Sequence, residues 1–129
     1  MSKTALDLTP NEWLAYQPDK ITSNYSTTAK TQLAERRRRA WHLAQQAARL
    51  LREKFMAERV VLFGSLAHED SFTPWSDIDL AAWGIPSDRI YAAVAVITGL
   101  SPDLKIDLVD PDSCRPGLRA AIERDGVDL

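Results

Sequence analysis

Residues 59–83, RVVLFGSLAHEDSFTPWSDIDLAAW, decide the fold. The apolar run at 60–63 predicts a strand buried on both faces, because it consists of four consecutive branched, aliphatic or aromatic side chains. Gly64 ends this run at a point where no side chain can obstruct a ligand, and Ser65 adds a hydroxyl donor directly after it. The first part of the stretch therefore predicts a strand followed by a tight turn.

The second part of the stretch carries two carboxylates, Asp77 and Asp79, ahead of the apolar run at 80–83. Positions i and i+2 of a strand point to the same side, so the two carboxylates would lie together. They would repel each other unless a cation lay between them, and carboxylate oxygens suit magnesium. Asp-x-Asp or Gly-Ser alone is common in surface strands and loops, but both in this order and spacing indicate a site.

A third acidic position lies in the alternating segment 104–109, LKIDLV. Asp107 falls on the side opposite to Ile106 and Leu108. An aspartate inside an otherwise apolar strand is costly unless a cation or hydrogen-bond donors accompany it. Asp107 is therefore the candidate third carboxylate.

Composition limits the class of protein. A chain of 129 residues with 45% hydrophobic content is typical of one globular domain. The formal net charge of -2 argues against a general nucleic-acid binder. There is no run of about 18 apolar residues, which argues against a membrane span, and the single cysteine, Cys114, favours the reducing cytoplasm.

Two parts of the chain are predicted, an N-terminal arm at 1–27 with one short helix and a domain at 28–129. The domain would begin with a long helix at 28–57, which lacks glycine and proline. Its apolar stripe would pack on the sheet. This apolar stripe consists of Leu33, Ala40, Ala44, Ala47, Leu51 and Phe55. The arginine run at 36–39 is expected to form a solvated face with ion pairs.

Two shorter helices are predicted after the second strand. The first would cover 88–98, capped by Ser87, and the second 115–124, with a small edge strand at 127–129. The first would bury Ile90, Tyr91, Val94 and Ile97, and the second would bury Leu118, Ala121 and Ile122.

Gly64-Ser65, Asp77-x-Asp79 and Asp107 together resemble the signature of the DNA polymerase β-like nucleotidyltransferase superfamily in its minimal form, over about residues 35–129. The resemblance implies an α/β fold whose small mixed sheet has helices mainly on one face and an open carboxylate face. It implies that Gly64 and Ser65 bind the triphosphate of ATP. It also implies that Asp77, Asp79 and Asp107 are catalytic and hold two Mg²⁺ ions.

The sequence departs from the usual pattern in two places. Eleven residues separate Ser65 from Asp77, one more than usual, and a loop absorbs such an insertion cheaply. Many relatives continue the turn with Ala-Arg-Gly, whereas this chain has Ala-His-Glu at 67–69. His68 is expected to be a surface residue rather than a ligand.

Minimal nucleotidyltransferases are commonly paired with HEPN toxins, which they neutralise as antitoxins by adenylylating a tyrosine. The resemblance therefore implies AMP transfer from ATP to a protein hydroxyl of a HEPN-type partner. Two alternatives stay open: a non-catalytic antitoxin that masks its partner, and a stand-alone transferase acting on a small molecule or an RNA end, with Trp75 and Trp83 near its acceptor. The alanine-rich helix also makes a homodimer an open expectation. Arg37 and His42 match the spacing of HEPN ribonucleases, but that fold is an all-helical bundle.

Overall fold

The computed structural model describes residues 23–129, and all but a few of their side chains. The predicted arm helix lies outside these residues. The elements are α1 (Ser23–Phe55), β1 (Arg59–Phe63), β2 (Ile78–Trp83), α2 (Ile90–Thr98), β3 (Ile106–Val109), α3 (Pro116–Asp125) and β4 (Val127–Asp128). Two short 3₁₀ turns, Ser65–Ala67 and Glu69–Ser71, lie between β1 and β2.

The four strands form one mixed sheet in the order β3-β2-β1-β4. Strand β1 pairs antiparallel with both β2 and β4, whereas β2 and β3 run parallel. The parallel pair needs a crossover, which α2 provides. The α/β class and the mixed sheet that the sequence analysis expected are thus confirmed.

The main core lies between one face of the sheet and the helices α1 and α2. The alanine stripe of α1 lets this helix approach the sheet closely, and Leu51 is completely buried there. On the opposite face, Ile122 of α3 packs against Val61 and Ala81 near the middle of the sheet. Most of the helical mass therefore lies on one face. None of the described helices is both long and apolar enough to cross a bilayer.

Helix α1 occupies Ser23–Phe55 rather than the predicted 28–57. At its C-terminal end the chain turns back, and the Ala57 N–H donates to the Leu51 carbonyl at 3.1 Å. Met56, the first residue after the helix, is in the left-handed conformation, with φ of 63°. Glycine is the usual residue there, so its absence explains why the end was predicted two residues too late.

The buried face of α2 differs from the predicted one. Ile97 is buried as predicted, but Tyr91 is 86% exposed and Ala93 is buried in addition. The sequence of this helix, IYAAVAVIT, is apolar on all sides, so its periodicity could not reveal which face packs. Arg89, not Ser87, is the N-cap, and no side chain caps the helix. In α3, Ile122 is buried as predicted, but Leu118 is 38% exposed.

Candidate active site

Asp79 and Asp107 lie side by side on neighbouring strands. The parallel ladder between β2 and β3 pairs Asp79 with Asp107, and paired positions share a face of the sheet. Ile78 and Ile106 form the preceding pair and are buried on the opposite face. The sheet therefore presents two adjacent carboxylates on the face that lies away from α1 and α2.

Gly64 makes room for the carboxylate of Asp79. The β1–β2 ladder pairs Phe63 with Asp79, so the residue after Phe63 lies next to that carboxylate. A Cβ atom on Gly64 would stand 2.3 Å from Asp79 Oδ2, and the Gly64 φ of 77° also disfavours any other residue. The glycine of the Gly-Ser turn is thus required by direct contact with an acidic residue of the candidate site.

The 3₁₀ turn after Gly64 is held by two backbone hydrogen bonds. The Ala67 N–H donates to the Gly64 carbonyl at 3.1 Å, and the His68 N–H donates to the Ser65 carbonyl at 3.2 Å. The first N–H groups of such a turn have no partner within it. Leu66 is fully buried and anchors the turn in the core, whereas Ser65 is half-buried and His68 is exposed.

Asp77 lies one residue before β2 and is half-buried. The Ile78 N–H donates to the Lys105 carbonyl at 2.9 Å, which ties the start of β2 to the segment entering β3. A turn at Thr73 and Ser76 closes the preceding loop, with the Thr73 N–H donating to Ser76 Oγ at 2.9 Å. The loop thus delivers Asp77 to the same end of the sheet as Asp79.

The electrostatics of Asp79 show that the carboxylates influence one another. Partial burial, followed by the negative charges of Asp107 and Asp77, raises the pKa of Asp79 to about 6. Lys105 acts in the opposite direction. Perturbation of this kind by desolvation and like charge is typical of functional sites.

Two cations that the sequence analysis left out of the site lie close to it. Lys105 Nζ is 3.6 Å from Asp107 Oδ1, an ion pair between positions i and i+2 that share a face. Arg36 of α1 interacts electrostatically with Asp77 and Asp103. The alternation around Asp107 could have indicated Lys105, but the position of α1 relative to the loop could not be read from the sequence.

The residues fit a divalent metal ion that is completed by a substrate. Within residues 23–129, no three His, Cys, Asp or Glu side chains are arranged to hold an ion between them. Magnesium, however, is commonly bound by one or two carboxylates together with substrate phosphates rather than by an all-protein cage. The adjacent Asp79 and Asp107, with Asp77 nearby, match that donor set, and a cation would offset the burial and the like charges that raise the pKa of Asp79.

The fold and the site together define a small α/β protein with paired carboxylates beside a glycine turn. Residues 45–129 match the family model described as Polymerase beta, Nucleotidyltransferase, and the chain belongs to this family. No curated protein matches the chain. Nucleotidyl transfer is thus the class of activity that the family membership supports, and domains of this family generally use nucleoside triphosphates and divalent metal ions.

Proposed function

We propose that the chain is a metal-dependent nucleotidyltransferase that transfers AMP from ATP to a hydroxyl group of a protein partner. The observation that carries the proposal is the side-by-side placement of Asp79 and Asp107 next to the Gly64 turn. Family membership supports the transfer of a nucleotidyl group. The choice of ATP and of a protein acceptor rests on the resemblance to minimal nucleotidyltransferases.

In the proposed reaction, the acceptor hydroxyl oxygen attacks the α-phosphorus of ATP. The bond from that phosphorus to the bridging oxygen breaks, and pyrophosphate leaves. Asp107 accepts the hydroxyl proton, directly or through water, because its carboxylate is half-exposed at the open face. Asp77 and Asp79 would hold both Mg²⁺ ions, and Asp107 the ion nearer the acceptor; the ions would supply positive charge against the triphosphate. The Gly64-Ser65 turn leaves space for the phosphate chain.

The open face of the sheet favours a macromolecular acceptor. Helices α1 and α2 pack on the opposite face, and α3 covers the region around Val61 and Ala81. A hydroxyl on a protein surface could therefore approach the carboxylates. We propose a HEPN-type toxin in the same cytoplasm as this partner, which would make the chain an antitoxin.

Co-expression of the chain with a candidate HEPN-type toxin, followed by intact-mass analysis of that toxin, tests the proposal. The partner should gain the mass of one adenylyl group and lose its ribonuclease activity. Co-expression with the Asp79→Asn variant, in which a ligand for the ion is lost, should leave the partner unmodified and active. A partner that stays unmodified and active beside the wild-type chain would contradict the proposal.

The same experiment distinguishes the proposed transferase from the alternative of a non-catalytic binding antitoxin. If the Asp79→Asn variant still silences an unmodified partner, masking rather than transfer protects the cell. The stand-alone transferase has less support, because the Arg59 guanidinium already lies over one face of the Trp83 ring, 4.6 Å from its centroid.

A further inference from the structure

We propose that Arg36 of α1 binds the phosphate chain of the nucleotide and takes the place of the arginine that the Gly-Ser turn lacks. The inference rests on the proposed function, since it assigns a further ligand contact to the same site. It starts from the residues after the turn, which are Ala67, His68 and Glu69 and so offer no guanidinium. His68 is exposed, and an imidazole lacks the planar fork of donors that a guanidinium offers to phosphate.

Arg36 is the member of the arginine run 36–39 that faces the acidic site. It lies one helical turn before the fully buried Ala40, so its side chain runs along the edge of the core and is half-buried. Its charge is felt by Asp77, which belongs to the candidate site, and by Asp103. Arg38 and Arg39 differ, because they are mostly exposed and pair with Glu35 and Asp103 respectively.

The guanidinium of Arg36 is incompletely paired within the described part of the chain. Its Nη1 donates to the Asp103 carbonyl over a long 3.4 Å, and its buried Nε has no hydrogen-bond partner. Burial and the neighbouring Arg39 lower the pKa of Arg36, against the attraction of Asp103 and Asp77. An anion bound here would stabilise this half-buried and incompletely paired cation. Phosphate oxygens suit it in particular, because a guanidinium can donate two parallel hydrogen bonds to them.

The location of Arg36 favours a role in binding phosphate over a purely structural ion pair. Helix α1 packs against both β2 and the 3₁₀ turn Ser65–Ala67, so it flanks the loop that joins the turn to Asp77. A phosphate chain lying along that loop would pass between the turn and the Asp77 end of β2. Arg36 stands at that end.

Calorimetric titration with phosphates of increasing length tests the assignment. In the presence of Mg²⁺, the wild-type chain and its Arg36→Gln variant are titrated with a non-hydrolysable ATP analogue, ADP and AMP. Arg36→Gln should weaken binding of the triphosphate by about 10- to 100-fold, because a hydrogen bond to a charged group is lost. AMP binding should change by less than about 3-fold, since AMP lacks the β- and γ-phosphates.

Two further variants act as controls. Arg39→Gln removes an exposed guanidinium beside the same Asp103, so every affinity should change by less than about 3-fold. Arg36→Lys retains the charge but not the planar fork, and it should restore triphosphate binding in part. Thermal melting of each variant checks that the fold is intact.

The outcomes distinguish this inference from the proposed function. If the wild-type chain binds the triphosphate and Arg36→Gln binds it equally well, the assignment of Arg36 is wrong while the proposed function stands. Equal losses for all three nucleotides, accompanied by a lower melting temperature, would show a structural role and overturn the assignment. If the wild-type chain binds no triphosphate with Mg²⁺, the proposed function fails and the assignment fails with it.

Discussion

Asp79 is connected to every part of the candidate site. It lies beside Asp107 in the parallel ladder, is influenced by Asp77, and fills the space above Gly64. Its raised pKa means that the folded chain binds a proton more tightly than the unfolded chain does. In the absence of a cation, the ionised carboxylate therefore costs stability.

The Asp79→Asn substitution should stabilise the metal-free chain at pH 7.5. The carboxyl contributes stability below its unfolded pKa, and this contribution is lost as pH rises through the folded value of about 6. The gain from the neutral amide at pH 7.5 should be roughly 1 kcal/mol, since solvent screens a carboxylate that is only half-buried. Urea unfolding measures the difference in the free energy of unfolding between the variant and the wild type.

The pH dependence supplies the control for this prediction. At pH 4 the gain should disappear, because Asp79 is then protonated in the folded chain. A gain of equal size at both pH values would show that the amide acts by some route other than charge.

Gly64→Ala should remove nucleotide binding and destabilise the chain by about 1–3 kcal/mol. The new Cβ would collide with the Asp79 carboxylate, and the backbone φ of 77° strains any residue other than glycine. Gly117→Ala is the matched control. Gly117 lies in α3, and a Cβ at this position would meet no atom within 4 Å. The control should be neutral or slightly stabilising. Unaltered nucleotide affinity in Gly64→Ala would contradict the geometry described for the turn.

At the scale of single residues, part of the site could be predicted from the sequence. The order of Gly64, Asp77 and Asp79 is local, and strand alternation alone places Asp107 opposite its apolar neighbours. The pairing of Asp79 with Asp107 also needs the parallel ladder, which is a long-range feature. Arg36 could not be placed because its role depends on how α1 packs against the loop.

At the scale of elements, the positions of the helices were easier to predict than their buried faces or their last residues. Helix α1 has an alanine and leucine stripe with charged residues on the other side, so its buried face was predicted correctly. Helix α2 has no charged residue between Ile90 and Thr98, so its pattern contained no information on orientation. Packing against β3 and α1 decides which face of α2 is buried.

Met56→Gly should stabilise the chain by about 1 kcal/mol. Met56 ends α1 in the left-handed conformation, with φ of 63°, where a side chain is unfavourable. Its side chain is 57% exposed, so little packing is lost when it is removed. Chemical denaturation of the variant measures the gain.

Met56→Ala is the control for the end of α1. Alanine removes most of the side chain but keeps the Cβ that causes the strain, so it should bring no comparable gain. If alanine and glycine stabilise the chain equally, loss of the exposed methionine rather than relief of backbone strain is the cause.

At the scale of the whole molecule, the sheet order creates the candidate site. The crossover through α2 places β3 beside β2 and parallel to it, so that Asp79 and Asp107 become neighbours although 27 residues separate them in sequence. The individual strands follow from local apolar patterns. The mixed direction of the strands was predicted only through the resemblance to the polymerase β-like superfamily, and their order was not predicted.

The most direct test of the central claim is calorimetric titration of the chain with a non-hydrolysable ATP analogue, with and without Mg²⁺. We predict binding by the wild-type chain that requires Mg²⁺ and is lost in Asp79→Asn, because the carboxylates act through the ion. Binding of equal strength without Mg²⁺, or retained Mg²⁺-dependent binding in Asp79→Asn, would contradict the assignment of these carboxylates as the nucleotide site.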